Sequence, residues 1–320
     1  MLNTIIFAIF LYLQKYEIIT TMPEYGSVIR HPLTSLFYLV LFILFGYALF
    51  SVTAIGIIYL FTGDIHFVLN AEGSKGIVLF MQAWVSIGTF VLPPIALYYF
   101  EKKAGIDYLR LNTPVSGKLI LLTALIMFSV FPFIEWVIMI NQMMHLPSFL
   151  QGVEDWMRDK EKELSEFTKQ ILIMKSPVDL MINLLILAVI PAIGEELLFR
   201  GCFQNIFTRI TRNQHAGIWI TAILFSAIHV QFLGFFPRMF LGALFGYLFL
   251  WSGSIWLAVL AHFTNNAMAV VGAYVLQMKG KPLDSLDNPD TSIFIAAGSI
   301  LFTLLICGAF YKISKEKIKL

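Results

Sequence analysis

The sequence predicts an all-α fold: a polytopic membrane helix bundle with about eight transmembrane helices plus an amphipathic interfacial helix. Three observations predict it. Of the 320 residues, 58% are hydrophobic and only 13% are charged, against roughly 45–50% apolar and about 25% charged in a soluble domain. Mean hydropathy is +0.80. The apolar residues also gather in runs close to the ~20 residues that a helix needs to cross a bilayer. These values exclude a disordered chain, a coiled coil and an ordinary cytosolic enzyme. With 22 basic and 20 acidic residues the net charge is +2, which is no footprint for nucleic acid. Cys202 and Cys307 lie far apart in apolar surroundings, so they offer neither a disulfide framework nor a CxxC metal site.

The spans follow in order. The first runs from about Leu33 to Phe61. The second covers Ile77 to Phe100 and is kinked by Pro93-Pro94. The third covers Leu119 to Ile140, and the fourth runs from near Leu180, past Pro191, towards Phe207. The fifth covers Ala216 to Phe235, and the sixth, a short one, covers Met239 to Trp251. The seventh covers Ile255 to Met278, and the eighth Ile293 to Tyr311. Between the third and fourth, Val153, Trp156, Leu164, Phe167 and Ile171 recur at mostly three- and four-residue intervals among charged residues. That pattern predicts an amphipathic helix on the interface, a cap on the bundle, with a lid over a cavity as the sharper alternative.

Four regions result. Residues 1–32 form an N-terminal interfacial or non-native segment. Its apolar run Ile5 to Leu13 is too short to span and lacks the flanks of a signal peptide; Met22 is an alternative start. Residues 33–178 hold the N-terminal spans and the amphipathic helix. Residues 179–278 form the core that carries the chemistry. Residues 279–320 hold the last span and a basic tail. Lys102, Lys103, Arg110, Lys118, Arg209, Arg212 and the lysines after Tyr311 fall on one side of an eight-span chain. The excess of positive charge assigns that side, with both termini, to the cytoplasm, and the protein to the cytoplasmic (inner or plasma) membrane.

Ionisable groups inside such spans cost at least ~2.5–3.5 kcal/mol each and mark function by default. Glu195, Glu196 and Arg200 lie in the fourth span, His229 in the fifth, and His262, Asn265 and Asn266 in the seventh. Glu196 and Arg200 share a helix face and can pair. Glu195 points about 100° away and is left over as a candidate general base. Glu195 lies roughly 18 Å from one end of its helix and His229 ~22 Å from the same side, so the two can meet. His262 and Asn266 share one face and can donate hydrogen bonds to an oxyanion. This combination suits hydrolysis of an amide bond within the membrane. Two histidines and a carboxylate could equally bind zinc, with Glu195, His229 and His262 as ligands, although HExxH is absent.

Around these residues the chain resembles the CPBP family of CAAX-processing and bacteriocin-processing intramembrane proteases, also called Abi or Rce1-like. The EExxxR motif stands as Glu195-Glu196-Leu197-Leu198-Phe199-Arg200. The FxxxH motif stands as Phe225-Ser226-Ala227-Ile228-His229, and the HxxxN motif as His262-Phe263-Thr264-Asn265-Asn266. The resemblance covers about Leu180 to Val275. It implies an intramembrane endopeptidase in which Glu195 and His229 activate water, His262 and Asn266 form the oxyanion hole, and Glu196 and Arg200 support them. It implies no obligatory metal, with zinc left open, and a membrane peptide or protein as substrate. The substrate's identity and the oligomeric state are not fixed by it. Two alternatives from other classes are a non-catalytic membrane immunity or scaffold protein and a proton-coupled transporter. Among lesser residues, Phe225 reads as core packing, Gly242 and Gly246 as close helix contact, Glu135 as locally hydrogen-bonded, and Arg238 as a headgroup-level residue.

Overall fold

The structure is a computed structural model that describes residues 31–63, 75–101, 107–286 and 290–318. The N-terminal segment up to residue 30, His66, Lys102, Lys103 and Lys319 lie outside the described residues. Helix α1 (Pro32–Thr62) starts on a proline, where the missing N–H is not needed, and stops at Gly63, whose positive φ of 71° closes the last turn. Helix α2 (Lys75–Glu101) contains a π-helical stretch at Ile87–Val91 just before Pro93-Pro94, because the prolines withhold two N–H donors from the regular ladder. Helix α3 (Gly117–Gln142) is capped by Ser116. Helix α4 (Gln151–Ile171) is the amphipathic element.

Helix α5 (Pro177–Thr211) opens with a capping box between Ser176 and Asp179. It carries two π-helical stretches, Leu184–Val189 and Leu197–Gln204, on either side of Ile190–Glu196. Helix α6 (Gln214–Ala227) follows, capped by Asn213, and then α7 (Phe235–Ser252), α8 (Ile255–Met278) and α9 (Ile293–Ile318). No strand occurs among the described residues.

Seven of these helices are long and apolar enough to cross a membrane, so the chain is an integral membrane protein. The fifth expected span, Ala216 to Phe235, is divided. Helix α6 stops after 14 residues at Ala227, Val230 takes a positive φ of 53°, and the 3-10 turn Phe232–Gly234 leads into α7. Hydropathy sees only that this stretch is apolar. The break is held by side chains remote in sequence. Ser226 Oγ donates to Phe235 O (2.6 Å), Asn141 Nδ2 donates to Phe232 O (3.2 Å), and Phe236 N donates to Asn141 Oδ1 (3.0 Å). Non-helical backbone at membrane depth is tolerated where protein satisfies it.

Helix α8 runs through the middle of the bundle, against α3, α5 and α7, while α9 packs on α3 and α6 on α7. The core joins Phe199 and Phe203 of α5, Phe225 of α6, Phe245 and Phe249 of α7 and Ala258 and Ala261 of α8. Helix α1 leaves Phe37, Phe45, Leu60 and Phe61 exposed, as a lipid-facing helix does. Helix α4 lays Trp156 on Phe232, in the break after α6, with ring centroids 5.5 Å apart.

Candidate active site

Glu195 and Glu196 end the α-helical stretch of α5 between its two π-helical stretches. Gly194 lets α5 approach α2 closely, since a Cβ there would lie 2.9 Å from Phe90 Cβ. The adjacent carboxylates have different surroundings. Glu196 and Arg200 have no accessible side-chain surface, whereas Glu195 keeps 12%. Arg200 Nη1 donates to Glu196 Oε1 (2.8 Å) and Nη2 donates to Gly242 O (2.8 Å). The guanidinium also lies over the rings of Phe225 (4.8 Å) and Phe245 (5.3 Å), which replace water around a buried cation.

Glu196 Oε1 has a second partner in His262 Nδ1 at 2.8 Å. A carboxylate paired with arginine accepts, so Nδ1 carries the proton. Phe245 stacks on the same imidazole at 5.3 Å with an interplanar angle of 21°. The ring is thereby fixed with Nε2 directed at Glu195 Oε2, 3.9 Å away. That separation is an ion-pair distance and too long for a hydrogen bond. Glu195 Oε2 is buried and has no hydrogen-bond partner among the described residues. A carboxylate oxygen left this way in a low-dielectric interior is a strong acceptor held ready.

His229 sits where α6 ends, in the break itself. Its Nδ1 donates to Phe225 O (2.7 Å), because a carbonyl only accepts, and the neutral ring therefore offers its lone pair at Nε2. The Phe225 ring stands 5.2 Å from His229 and 5.8 Å from His262 and packs edge-on against both. On α8, Asn266 Nδ2 donates to Leu187 O (3.2 Å) in the first π-helical stretch of α5, and Asn265 Nδ2 donates to Asn266 Oδ1 (3.2 Å). One N–H of the Asn266 amide remains beyond these bonds.

Glu195, Glu196, Arg200 and His262 are thus assembled around one another. His229 packs on Phe225, and Asn266 is anchored to the helix that carries the glutamates. Among the described residues Glu195 and His229 make no direct hydrogen bond or ion pair; the imidazole within ion-pair reach of Glu195 is that of His262. Phe225, read as core packing, also contacts both imidazoles. Phe245 and the Gly242 carbonyl escaped sequence reasoning. The glycine itself was the available signal: a Cβ there would lie 3.2 Å from Phe225 Cδ1 and 3.3 Å from Ala222 Cα. The close contact read from Gly242 and Gly246 is what brings that carbonyl to Arg200.

Among the described residues no group of three His, Cys, Asp or Glu is placed to hold a metal ion, so the zinc ligand set of Glu195, His229 and His262 is not assembled here. Each imidazole donates from Nδ1, which leaves Nε2 as the nitrogen a metal could take.

Fold and site together define a polytopic helical membrane protein with a buried carboxylate–imidazole–guanidinium network. Residues 177–268 match the family model described as Type II CAAX prenyl endopeptidase Rce1-like. The matched region contains all three motifs. A protein of Bacillus subtilis (strain 168) named "Uncharacterized protein YpbD" is 28% identical over 90 residues, covering 27% of this chain and 43% of that protein. The chain therefore matches under half the length of that relative. No solved structure matches the chain.

Proposed function

We propose that this protein is an intramembrane endopeptidase that hydrolyses a peptide bond in a membrane-associated protein or peptide. One observation carries the reading: a buried Glu195 oxygen without a hydrogen-bond partner faces the Nε2 of an imidazole whose other nitrogen is fixed by Glu196 and Arg200. In this reading Glu195 takes a proton from a water that His229 Nε2 holds as acceptor. The resulting hydroxide adds to the scissile carbonyl. The oxyanion accepts from His262 Nε2–H, in the imidazolium form that donates at both nitrogens, and from the remaining N–H of Asn266. As the C–N bond breaks, Glu195 returns its proton to the leaving amine. Glu196 and Arg200 position His262 and do not touch substrate.

This reaction needs no metal, so cleavage is expected to survive chelators; loss of activity that added zinc restores would overturn that part. For the hydrolysis itself, membrane peptides and proteins are compared between cells carrying the wild type, Glu195→Gln or His229→Ala. A product present in the wild type and missing in both variants supports the reading and names the substrate. Processing that persists in both variants removes it.

A further inference from the structure

The break after His229 ends in the first turn of α7, and Arg238 stands there. Its Nη1 donates to Gln231 O (3.0 Å) and its Nη2 to Gln231 Oε1 (2.5 Å). Both acceptors are neutral. Among the described residues Arg238 forms no ion pair with a carboxylate within 4.0 Å. The side chain is partly buried and lies on Gly234, where a Cβ would sit 2.5 Å from Nη2 and 2.8 Å from Cζ. Its charge acts on Glu195 and His229 and, from the α4 side, on Glu161. Glu161 is itself engaged, accepting from Leu233 N at 3.3 Å.

A cation held in a membrane-spanning element without a contacting anion is costly and needs a reason. Arginine has five N–H donors in a planar fork; Gln231 occupies two of them and holds the side chain in place. The free edge suits a carboxylate. In a peptide that anion is the C-terminal carboxylate or an Asp or Glu side chain. A lipid phosphate is the competing ligand for such an arginine, yet this side chain is bonded to Gln231, two residues beyond His229 in the same break.

We propose that Arg238 is the specificity residue of the site, binding a carboxylate of the peptide substrate and thereby setting which bond reaches Glu195. The proposal rests on the peptidase reading. Its test uses the full chain in phosphatidylcholine nanodiscs, as Glu195→Gln to prevent turnover. Three pools of short N-myristoylated peptides, randomised in sequence, serve as probes: free C terminus without acidic residues, amidated C terminus with one Glu, and amidated C terminus without acids. Retention of at least one carboxylate pool is expected to exceed that of the carboxylate-free pool by about tenfold, in line with one charged hydrogen bond. The preferred pool distinguishes a terminal from a side-chain carboxylate.

Adding Arg238→Gln should bring that pool down to the carboxylate-free level while leaving the carboxylate-free pool unchanged, which also reports an intact fold. Arg238→Lys, which keeps the charge but not the fork, should retain part of the preference. Equal retention of all pools, or a preference that survives Arg238→Gln, overturns the inference. So does an Arg238→Gln defect seen only as weaker binding to phosphatidylglycerol vesicles, which would make Arg238 a headgroup anchor. If the preference holds but wild-type protein cleaves none of the pools and no cellular product depends on Glu195, then hydrolysis fails while carboxylate binding stands.

Discussion

Arg200 is wholly buried, and Glu196 is its charged partner within hydrogen-bond reach, with the Gly242 carbonyl and two aromatic faces completing its surroundings. Removing one member of such a pair leaves a bare charge in the interior, at a cost of about 3–5 kcal/mol. Glu196→Ala should therefore unfold at markedly lower temperature in detergent, whereas Glu195→Gln, which breaks no hydrogen bond to Oε2, should melt like the wild type and lose only activity. Equal melting of the two variants would show that Glu196 does not neutralise Arg200. The pairing of Glu196 with Arg200 and the separate direction of Glu195 were legible from the four-residue spacing alone. The bond from His262 to Glu196 was not, because it joins residues on different helices, and nothing in the local sequence says which of two adjacent carboxylates the ring will choose. The place of Arg238 was hidden for a related reason: at the start of an apolar run, an arginine that points inward reads the same as one that reaches for headgroups.

Helix contacts show the same division between what spacing reveals and what packing decides. The ends of α1, α2, α3, α5, α8 and α9 follow from runs of apolar residues, with side-chain caps at the starts of α1, α3 and α5. The end of α6 at Ala227 depends on Asn141, a residue of α3, and so lay outside any reading of local hydropathy. Close approach between α1 and α2 rests on Gly46, where a Cβ would fall 2.0 Å from Gly88 O; beside Gly56 nothing lies within 4 Å. Gly46→Ala must push the helices apart and should cost about 1–3 kcal/mol, while Gly56→Ala should leave thermal stability equal or slightly higher. Similar melting of both variants would mean that the helix pair does not need its glycine. Helix α4 is tied at its N-terminal end by Glu154, which accepts from Leu146 N (2.8 Å), Arg158 Nε (2.8 Å) and His145 Nδ1 (2.7 Å). The backbone bond from Leu146, then Arg158 and His145, lower the Glu154 carboxyl from 4.5 to about 2. A depressed carboxyl stabilises the folded tie above the unfolded value and ceases to do so as pH falls through the folded one. Hydrogen exchange at the start of α4 should therefore stay slow at neutral pH and accelerate between about pH 4.5 and 2; exchange independent of pH in that window would remove Glu154 as the tie.

At the scale of the whole molecule, the Rce1-like region at 177–268 must be held by elements outside it. One such hold is a buried polar cluster where the ends of α1, α2 and α5 meet. Glu101, the last residue of α2, is buried, and its Oε1 accepts from Ser35 Oγ of α1 (2.6 Å). Its Oε2 accepts from the Tyr108 hydroxyl and lies 4.0 Å from Arg209 Nη1 of α5, which in turn donates to the Tyr108 oxygen. Burial and the bond to Glu101 push the Tyr108 phenol up, so it stays protonated and keeps donating. Asn205 of α5 adds a bond from its Nδ2 to Tyr108 O at 3.2 Å. Both carboxylate oxygens of Glu101 are used as acceptors, and an amide offers only one. Glu101→Gln should therefore forfeit one buried hydrogen bond together with the charge opposite Arg209, a loss of about 1–3 kcal/mol. Because Arg209 belongs to the helix that carries Glu195 and Glu196, the loosening should spread to the site rather than stay at the α1–α2 edge. Two measurements separate a tie from a bystander. The Glu101→Gln and Ser35→Ala effects on melting should be less than additive, as expected for groups in one network. Maleimide labelling of Cys202, buried in α5 near this cluster, should be negligible in the folded wild type and faster in Glu101→Gln. Additive melting effects with Cys202 equally protected in both proteins would mean that α1 and α2 are joined to the helix carrying Glu195 and Glu196 by apolar packing alone.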